Sequence, residues 1–428
     1  MDKLVIKGHN KLYGTIEISG AKNATLPAMA AAILTSEKVQ LNNVPYLADV
    51  ATMVELLEKM GISTTGYNKK DTDDFGDKKI TIDTSCINTY EAPYDLVKTM
   101  RASVLVLGPL VAKYGSAKVS MPGGCAIGSR PIDLHLKGLA ALGADVSIDH
   151  GYVNVKAKRL EGARIVFDNI TVTGTENIMM AATLAKGVTV LENAAKEPEV
   201  VSLADQLIKM GAHIEGAGTD TIEIQGVEQL HGCSIDIIPD RIEAGTYIIA
   251  VAAAGGEVEI KNCNPRHLDA LLFKIKEAGV EYIEKENSII VKRNNDGWLK
   301  SVNVKTMPYP NFPTDLQAQF MVLMTQGDNT SIITETIFEN RFMHVAELRR
   351  MGADIKVENN VAIVKGRTHL MGAQIMATDL RASASLVIAG LIADNVTEIS
   401  RIYHLDRGYE FMEKKLSNVG ANIKRIRA

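Results

Sequence analysis

Lys209-Met210-Gly211-Ala212 ends an amphipathic helical pattern, and a strand-like run follows it. A similar tetrapeptide with glycine in third place occurs five more times, at 59–62, 141–144, 277–280, 350–353 and 418–421. Successive glycines are 82, 68, 68, 73 and 68 residues apart, and the longest interval contains a polar insertion at 68–79. Glycine directly after a helix is typical of a helix C-terminus. The chain is therefore predicted to contain six copies of one structural unit, here called repeats one to six.

A second helical run precedes the amphipathic helix of each repeat, and it is apolar on nearly all sides. These runs span 24–34, 102–112, 178–185, 246–254, 319–324 and 384–393. A helix without a polar face must be buried all round. Buried helices wrapped by sheets and outer helices predict an inside-out α/β barrel in two domains, with three repeats in each.

The domain boundaries follow from the hairpin that closes each repeat. The hairpin of repeat three, at 224–232, has the same Gly and Leu spacing as residues 6–14, whereas repeat six stops short of its own hairpin. We therefore expect residues 1–19 to complete repeat six. One domain would comprise 1–19 and 240–428 and the other 20–239, and the two chain crossings would form a hinge suited to closing over a ligand.

Composition narrows the functional classes. The chain has 428 residues, a net charge of −4, 46% hydrophobic residues and only 5% aromatic ones. An acidic balance argues against a general nucleic-acid or membrane surface but leaves room for a local basic pocket. We find no signal-peptide pattern, no membrane-spanning run and no Cys-x-x-Cys pair among the four distant cysteines. These features favour a cytoplasmic protein without a disulfide framework or structural zinc site.

Residues 121–135 are predicted to contain a glycine-rich loop, which lies between a strand pattern and an amphipathic helix pattern that begins at Pro131. Gly123 and Gly124 permit unusual backbone angles, and Cys125 follows them directly. Arg130 precedes Pro131, a favoured first residue of a helix. The loop could be an ordinary glycine turn with an incidental cysteine, or a mobile loop that presents a thiol beside an anion-binding position. The loop alone leaves both interpretations open.

Charged and polar residues stand at the openings of the buried helices. They are Lys22-Asn23, Arg101, Thr175-Glu176-Asn177, Arg241 with Glu243, Thr314-Asp315 and Arg381. Cations at helix N-termini oppose the helix dipole unless an anion binds there. Each could make an ordinary salt bridge, but together with Arg130, Arg341 and Arg407 they indicate an anion-binding cleft between the domains.

Asp315 is the best candidate for a general base, although a carboxylate in the first turn of a helix is also simply favourable. Asp49 and Asp379 are weaker candidates. His135 is expected to make a polar contact rather than to act as a catalyst.

Motifs along the whole chain then indicate a family. They are Ser-Gly-Ala-Lys-Asn at 19–23, Pro-Gly-Gly-Cys-Ala-Ile-Gly-Ser-Arg-Pro at 122–131, Phe-Pro-Thr-Asp-Leu-Gln-Ala-Gln-Phe at 312–320, Glu-Asn-Arg-Phe-Met-His at 339–344, Asp-Leu-Arg-Ala-Ser-Ala at 379–384 and Asp-Arg-Gly-Tyr-Glu at 406–410. In these motifs the sequence resembles the UDP-N-acetylglucosamine 1-carboxyvinyltransferases. The resemblance implies transfer of the enolpyruvyl group of phosphoenolpyruvate to the sugar 3′-hydroxyl, with loss of phosphate, at the start of peptidoglycan synthesis.

The resemblance also implies residue roles. Cys125 would be the general acid, able to form an adduct with phosphoenolpyruvate and expected to be the target of fosfomycin, and Asp315 would be the base. Phosphate and carboxylate would be held by Lys22, Arg130, Arg381 and Arg407, with Lys22 and Arg407 counted as catalytic, and Arg341 would be a further substrate-binding residue. The UDP-sugar would contact Asn23, Arg101, Pro131, Ile132, Asp133, Leu134, Val172, Thr173, Gly174, Asp315 and Ile337. Neither a cofactor nor a metal is expected, and no partner beyond the two substrates.

Two alternatives remain open at this point. A 3-phosphoshikimate 1-carboxyvinyltransferase would use the same chemistry with another acceptor. A non-catalytic six-repeat ring that binds nucleic acid belongs to a different class, and the acidic charge and the cysteine loop both argue against it.

Overall fold

The computed structural model describes residues 2–67, 78–98, 100–121, 132–294 and 297–427. The described chain divides into two compact units. Unit A contains the described residues between 20 and 238, and unit B contains residues 2–19 together with those between 239 and 427. Cys125, Arg130 and Pro131 lie outside the described residues, so their predicted roles stay predictions.

The elements up to the end of repeat three are given in chain order. The first two strands are β1 (Lys3–Lys7) and β2 (Leu12–Glu17). Repeat one contains α1 (Lys22–Ala31), a 3₁₀ helix (Ala32–Leu34), β3 (Val39–Asn42), α2 (Ala48–Lys59), β4 (Ser63–Thr65) and β5 (Lys79–Asp83). Repeat two contains β6 (Glu91–Ala92), α3 (Tyr94–Val97), a 3₁₀ helix (Arg101–Val106), α4 (Leu107–Tyr114), β7 (Ser116–Ser120), α5 (Asp133–Ala141), β8 (Asp145–Asp149) and β9 (Tyr152–Lys156). Repeat three contains β10 (Arg164–Val166), α6 (Val172–Ala182), β11 (Val188–Glu192), α7 (Pro198–Lys209), β12 (His213–Glu215) and β13 (Thr221–Gln225), and β14 (Ser234–Asp236) follows it.

The remaining elements belong to unit B. Repeat four contains α8 (Arg241–Ala254), β15 (Gly256–Lys261), a 3₁₀ helix (Pro265–Leu268), α9 (Asp269–Glu277), β16 (Glu281–Glu284) and β17 (Ser288–Arg293). Repeat five contains β18 (Val304–Lys305), a 3₁₀ helix (Thr314–Leu316), α10 (Gln317–Met324), β19 (Thr330–Thr334), α11 (His344–Arg350), β20 (Ile355–Glu358) and β21 (Val361–Lys365). Repeat six contains β22 (Gln374–Met376), α12 (Leu380–Ile392), β23 (Val396–Ser400), a 3₁₀ helix (Ile402–Arg407), α13 (Met412–Asn418) and β24 (Asn422–Ile426).

Each repeat contributes one four-stranded mixed sheet with the same strand order. The sheets are β14-β3-β5-β4, β6-β7-β9-β8 and β10-β11-β13-β12 in unit A, and β2-β15-β17-β16, β18-β19-β21-β20 and β22-β23-β1-β24 in unit B. In every sheet the strand after the buried helix lies between one parallel and one antiparallel neighbour, and the fourth strand pairs antiparallel with that antiparallel neighbour. This repeated order confirms the predicted α/β fold of six units.

The N-terminal strands join two different sheets. β1 pairs antiparallel with both β23 and β24, so it fills the position that the sequence predicted to be missing from repeat six. β2 instead pairs in parallel with β15 of repeat four. The expectation that both strands belong to repeat six was therefore wrong for β2, because the second strand of each such segment extends the sheet of another repeat.

Three helices without a polar face form the centre of each unit. In unit B, α8, α10 and α12 pack against one another, and every residue of α10 is buried. In unit A, α6 packs against both α1 and α4. Repeats two and five begin their buried helix with a 3₁₀ turn. In repeat three the helix starts earlier than predicted, because Thr171 caps it by accepting from the Gly174 N–H; the predicted opening at 175–177 lies inside the helix.

The six repeat glycines have the predicted backbone geometry. Each follows the end of an outer helix by two residues, and their φ angles lie between 83° and 103°. Only glycine adopts this left-handed region without steric cost, which explains why the sequence repeats glycine there. Within the described ranges, the helices are too short or too polar to cross a membrane.

Candidate active site

Lys22 begins α1 in unit A and has little contact with solvent, since only 8% of its surface is exposed. Its Nζ lies 3.2 Å from Oδ2 of Asp49, which sits in the first turn of α2. A buried ammonium requires such a partner because desolvation is costly. Asp49 therefore pairs with Lys22 here, which accounts for this carboxylate without a role as base. Asn23, the next residue, is exposed.

Arg101 opens the 3₁₀ helix before α4 and lies near the buried His135 of α5. Burial, helped by the Arg101 charge, lowers the pKa of His135 to about 4, so this imidazole is neutral at pH 7. Asn177 Nδ2 lies 2.9 Å from His135 Nδ1, and Thr173 Oγ1 lies 3.3 Å from Nε2. His135 thus joins α5 to α6, as expected for a polar contact.

Asn177 explains why His135 has a fixed orientation. Its Nδ2 also donates to the Val104 carbonyl at 3.1 Å, and its Oδ1 accepts from the Gly108 N–H at 2.7 Å. Because the amide nitrogen can only donate, the His135 Nδ1 must accept and Nε2 carries the proton toward Thr173. One buried asparagine therefore holds three segments of unit A together.

Six of the predicted UDP-sugar contacts in unit A stand at two further helix openings. Ile132 is buried, Asp133 exposed and Leu134 half-buried at the start of α5. The first three residues of α6 are Val172, Thr173 and Gly174. The hydrogen bond between Thr173 and His135 brings these two openings together.

In unit B, two arginines converge on the carboxylate of Asp315. Arg381 donates from Nε and Nη2 to Oδ2 at 3.1 and 2.9 Å, and Arg341 donates from Nη2 to Oδ1 at 2.8 Å. The arginine side chains are 3% and 4% exposed, and that of Asp315 is 26% exposed. The Arg381 Nη1 is buried and has no hydrogen-bond partner among the residues that the structure describes. Two buried cations share one partly accessible carboxylate, which is an arrangement suited to binding an anion.

The Arg381 guanidinium also contacts an aromatic ring, that of Tyr409. Tyr409 places its ring centroid 5.4 Å from the guanidinium carbon, and the Tyr409 hydroxyl lies within hydrogen-bond distance of Thr246 and Gln319. Burial by itself would lower the pKa of Arg381, but the adjacent Asp315 and Tyr409 raise it, so the charge is retained. Asp379 caps α12 by accepting from the backbone N–H of Arg381, which explains this carboxylate without a catalytic role.

Arg407 ends the 3₁₀ helix of repeat six and is half-buried. This helix packs against α12, whose first turn carries Arg381. Burial and the charge of Arg407 together lower the pKa of His404. Ile337 is 36% exposed, and its N–H donates to Glu335 Oε1 at 2.8 Å. Unit B therefore carries three of the predicted anion-binding arginines close to the start of α12 or on the loop that packs against it.

A buried cluster in unit B was not anticipated from the sequence. Lys415 Nζ donates to Ser19 Oγ and to Glu243 Oε1, both at 2.7 Å, and Ser19 Oγ contacts Glu410 Oε2 at 2.5 Å. Burial raises the pKa of Glu243 despite the neighbouring Lys415. The signal available in the sequence was a carboxylate, Glu243, at the opening of an otherwise apolar helix.

Comparison with known proteins places this geometry in a family. The family model described as EPSP synthase (3-phosphoshikimate 1-carboxyvinyltransferase) matches residues 6–416. The UDP-N-acetylglucosamine 1-carboxyvinyltransferase of Geotalea daltonii is 59% identical over 426 residues, covering 100% of both chains. The chain belongs to the UDP-N-acetylglucosamine 1-carboxyvinyltransferase family. The resemblance indicated by the motifs is confirmed.

Solved structures support the fold of this carboxyvinyltransferase family member. The enolpyruvyl transferase NikO from Streptomyces tendae aligns with a TM-score of 0.87 at 26% identity, covering 100% of this chain and 99% of its own. An EPSP synthase from Acinetobacter baumannii aligns with a TM-score of 0.75 at 17% identity, covering 100% of both chains, which supports the fold alone.

Proposed function

We propose that this chain transfers the enolpyruvyl group of phosphoenolpyruvate to the 3′-hydroxyl of UDP-N-acetylglucosamine and releases phosphate, at the start of peptidoglycan precursor synthesis. Full-length identity with a transferase of that name supports the reaction. The structural observation that carries the proposal is the Asp315 carboxylate held between Arg341 and Arg381. A substrate carboxylate or phosphate has the charge and the paired oxygens that these arginines bind.

The reaction is an addition followed by an elimination. The sugar hydroxyl oxygen bonds to the central carbon of phosphoenolpyruvate while a proton is added to the methylene carbon; loss of a proton and of phosphate then restores the double bond. Cys125 is proposed to donate the first proton, and Asp315 to accept the hydroxyl proton. An incoming substrate anion would compete with Asp315 for the two arginines and so free its carboxylate to receive the hydroxyl proton.

The cations have a second role as charge develops in the reaction. Lys22 and Arg101 stand at helix openings in unit A, and Arg341, Arg381 and Arg407 are held in unit B. Preorganised positive groups stabilise charge on a departing phosphate at little reorganisation cost. We assign Lys22, Arg130, Arg341, Arg381 and Arg407 to the phosphate and carboxylate. The openings of α5 and α6, with Asn23, Arg101 and Ile337, are assigned to the UDP-sugar.

The direct test is phosphate release from phosphoenolpyruvate with and without UDP-N-acetylglucosamine. We expect turnover only when the UDP-sugar is present. Because the family model is described for a 3-phosphoshikimate transferase, shikimate 3-phosphate is the competing acceptor in a parallel reaction. Turnover with shikimate 3-phosphate alone would reassign the acceptor, and the absence of release with either acceptor would refute the proposal.

A further inference from the structure

Arg425 on β24 forms an ion pair with Asp406, the residue directly before Arg407. Its guanidinium forms a two-pronged ion pair with the Asp406 carboxylate, with Nη1 to Oδ2 at 3.1 Å and Nη2 to Oδ1 as the second contact. Its Nε donates to Glu413 Oε1 of α13 at 2.8 Å. The Arg425 side chain is 21% exposed. A bidentate guanidinium–carboxylate pair fixes both position and orientation, unlike a single point contact.

Asp406 lies in a segment that is bounded by two residues with unusual backbone angles. They are Arg401 and Phe411, whose φ angles are +58° and +47°. A positive φ is unusual for residues other than glycine and is costly for a bulky side chain. Such conformations persist only where surrounding contacts over-determine them, and they cluster at functional sites.

Apolar contacts hold the other side of the same segment. Ile402 and Leu405 are each 1% exposed, and Gly408 lies so close to α12 that an added Cβ would approach the Leu380 side chain to 2.8 Å. These contacts seat the segment beside the first turn of α12. Asp406, which lies between Leu405 and Gly408, is held instead by Arg425.

Repeat six is the only repeat with arginine at this position. Arg425 is the fifth residue after the helix-ending glycine of its repeat. The corresponding residues of repeats one to five are Gly66, Ile148, Gly216, Glu284 and Val357. The arginine thus occurs in the repeat whose loop carries Arg407, and its presence is not a requirement of the repeated fold.

We propose that Arg425 is a positioning residue, which holds Arg407 in place through Asp406. The inference rests on the proposed function, because Arg407 is assigned there to the phosphate and carboxylate of phosphoenolpyruvate. Arg425 itself is not assigned to the substrate. Its contribution is to keep the Arg407 backbone at a fixed distance from the start of α12.

The test compares Arg425→Ala and Arg425→Lys with the wild type in acceptor-dependent phosphate release. We expect Arg425→Ala to lower kcat/KM for phosphoenolpyruvate on the order of 10- to 100-fold, because small displacements of a substrate-positioning group have effects of this size. Arg425→Lys keeps the positive charge but cannot form the two-pronged ion pair, so its kcat/KM should lie between those of the wild type and Arg425→Ala. Arg164→Ala is the matched control: it removes a two-pronged pair with Glu192 on the edge of a unit A sheet and should leave kcat/KM unchanged.

A second background tests whether Arg425 acts through Arg407. In Arg407→Lys, the added Arg425→Ala change should reduce kcat/KM less than about 3-fold, since coupled residues are non-additive. An equal loss in both backgrounds would overturn the proposal. Asp406→Asn, which keeps the side-chain size, replaces Arg425→Ala if that variant fails to fold.

Hydrogen exchange gives a readout that does not depend on activity. Exchange of the amides in 402–411 should accelerate in Arg425→Ala and not in Arg164→Ala. Wild-type exchange in that segment would overturn the positioning role even if turnover fell. Because this measurement needs no substrate, its outcome is separable from a failure of the proposed function, which would appear as absent phosphate release in the wild type.

Discussion

Replacing Asp315 by alanine tests the centre of the proposed site. The change removes the carboxylate that is shared by Arg341 and Arg381, so it leaves two almost completely buried guanidinium groups without their common partner. It also removes the proposed base. The variant should therefore lose both stability and turnover, and it should respond to anions more strongly than the wild type.

The size of the stability loss follows from burial. Removing one partner of a fully buried ion pair costs about 3–5 kcal/mol. Since the Asp315 side chain is 26% exposed, water can replace part of the lost interaction, and we expect about 2–3 kcal/mol. For a unit of about 200 residues this lowers Tm by about 5–7 °C, given an unfolding entropy of about 2.1 cal/mol/K per residue.

Thermal melts with and without inorganic phosphate measure this effect. At a concentration of ten times its Kd, phosphate should raise the unfolding free energy of Asp315→Ala by about 1.4 kcal/mol, which corresponds to an increase in Tm of about 3 °C. The wild type should gain less, because the Asp315 carboxylate competes for the same arginines. Turnover of the variant should fall by a factor on the order of 10² or more, as expected for loss of a general base.

Glu398→Ala in the same unit is the control. It removes the pair with Lys3, whose side chains are 38% and 33% exposed, and it should cost less than about 1 kcal/mol. Asp315→Asn keeps the size of the side chain and removes its charge. Its Tm should be closer to that of the wild type than the Tm of Asp315→Ala is, while its turnover should be as low as that of Asp315→Ala. A wild-type Tm with wild-type turnover for Asp315→Ala would refute the reasoning for both the ion pairs and the base.

Three further predictions follow from single groups. Cys125→Ala should abolish phosphate release without unfolding the chain, whereas Cys125→Asp should keep activity and lose covalent inactivation by an epoxide; near-normal release by Cys125→Ala would exclude the acid role. Burial lowers the pKa of both His135 and His344 to about 4, so below about pH 6.5 the unfolded chain takes up protons that the folded chain does not. Each histidine should then cost up to about 1.4 kcal/mol of stability per pH unit down to about pH 4, with no cost above pH 6.5. Glu176 has the opposite effect on the pH dependence of stability, because burial raises its pKa. The contribution of His135 is therefore measured as a difference between two proteins in urea melts. His135→Gln should lose less stability than the wild type between pH 7 and pH 5, and an equal loss in both proteins would contradict this. Arg293 donates to the Ala252 and Ala253 carbonyls at the end of α8 at 2.7 and 3.0 Å, and Arg293→Ala should lower the unfolding free energy by about 2–4 kcal/mol with unchanged turnover; a Tm within about 1 °C of the wild type would argue against that role.

The site was predictable to the extent that charge and position in the chain determine it. Lys22, Arg101 and Arg381 were expected at openings of buried helices, and each is the first or second residue of such an element. Their partners were not predictable in the same way. Asp49 follows Lys22 by 27 residues and Asp315 precedes Arg381 by 66, so only folding brings these charges into contact.

Local sequence is an incomplete signal for several features of the fold. The helix α6 begins earlier than its apolar run predicts, since Thr171 is a capping residue inside a run of polar residues that resembles a loop. Tyr409 could not be linked to Arg381 from the sequence, because that contact depends on how the segment after β23 packs beneath α12. The same is true of Arg425, whose charge on an edge strand resembles that of any solvent-exposed arginine until Asp406 is seen beside it.

The repeat and the all-round apolar helices are predictable from the chain alone, because glycine backbone freedom and hydrophobic burial act through spacing along it, and the motifs indicate the family. Which charges pair with one another is visible only in the folded molecule. Electrostatic contacts act over a few ångströms, and the residues that make them here come from different repeats or from different elements of one repeat. Ser19 contacts Lys415 in this way, 396 positions away, and no periodicity in the sequence records such a contact.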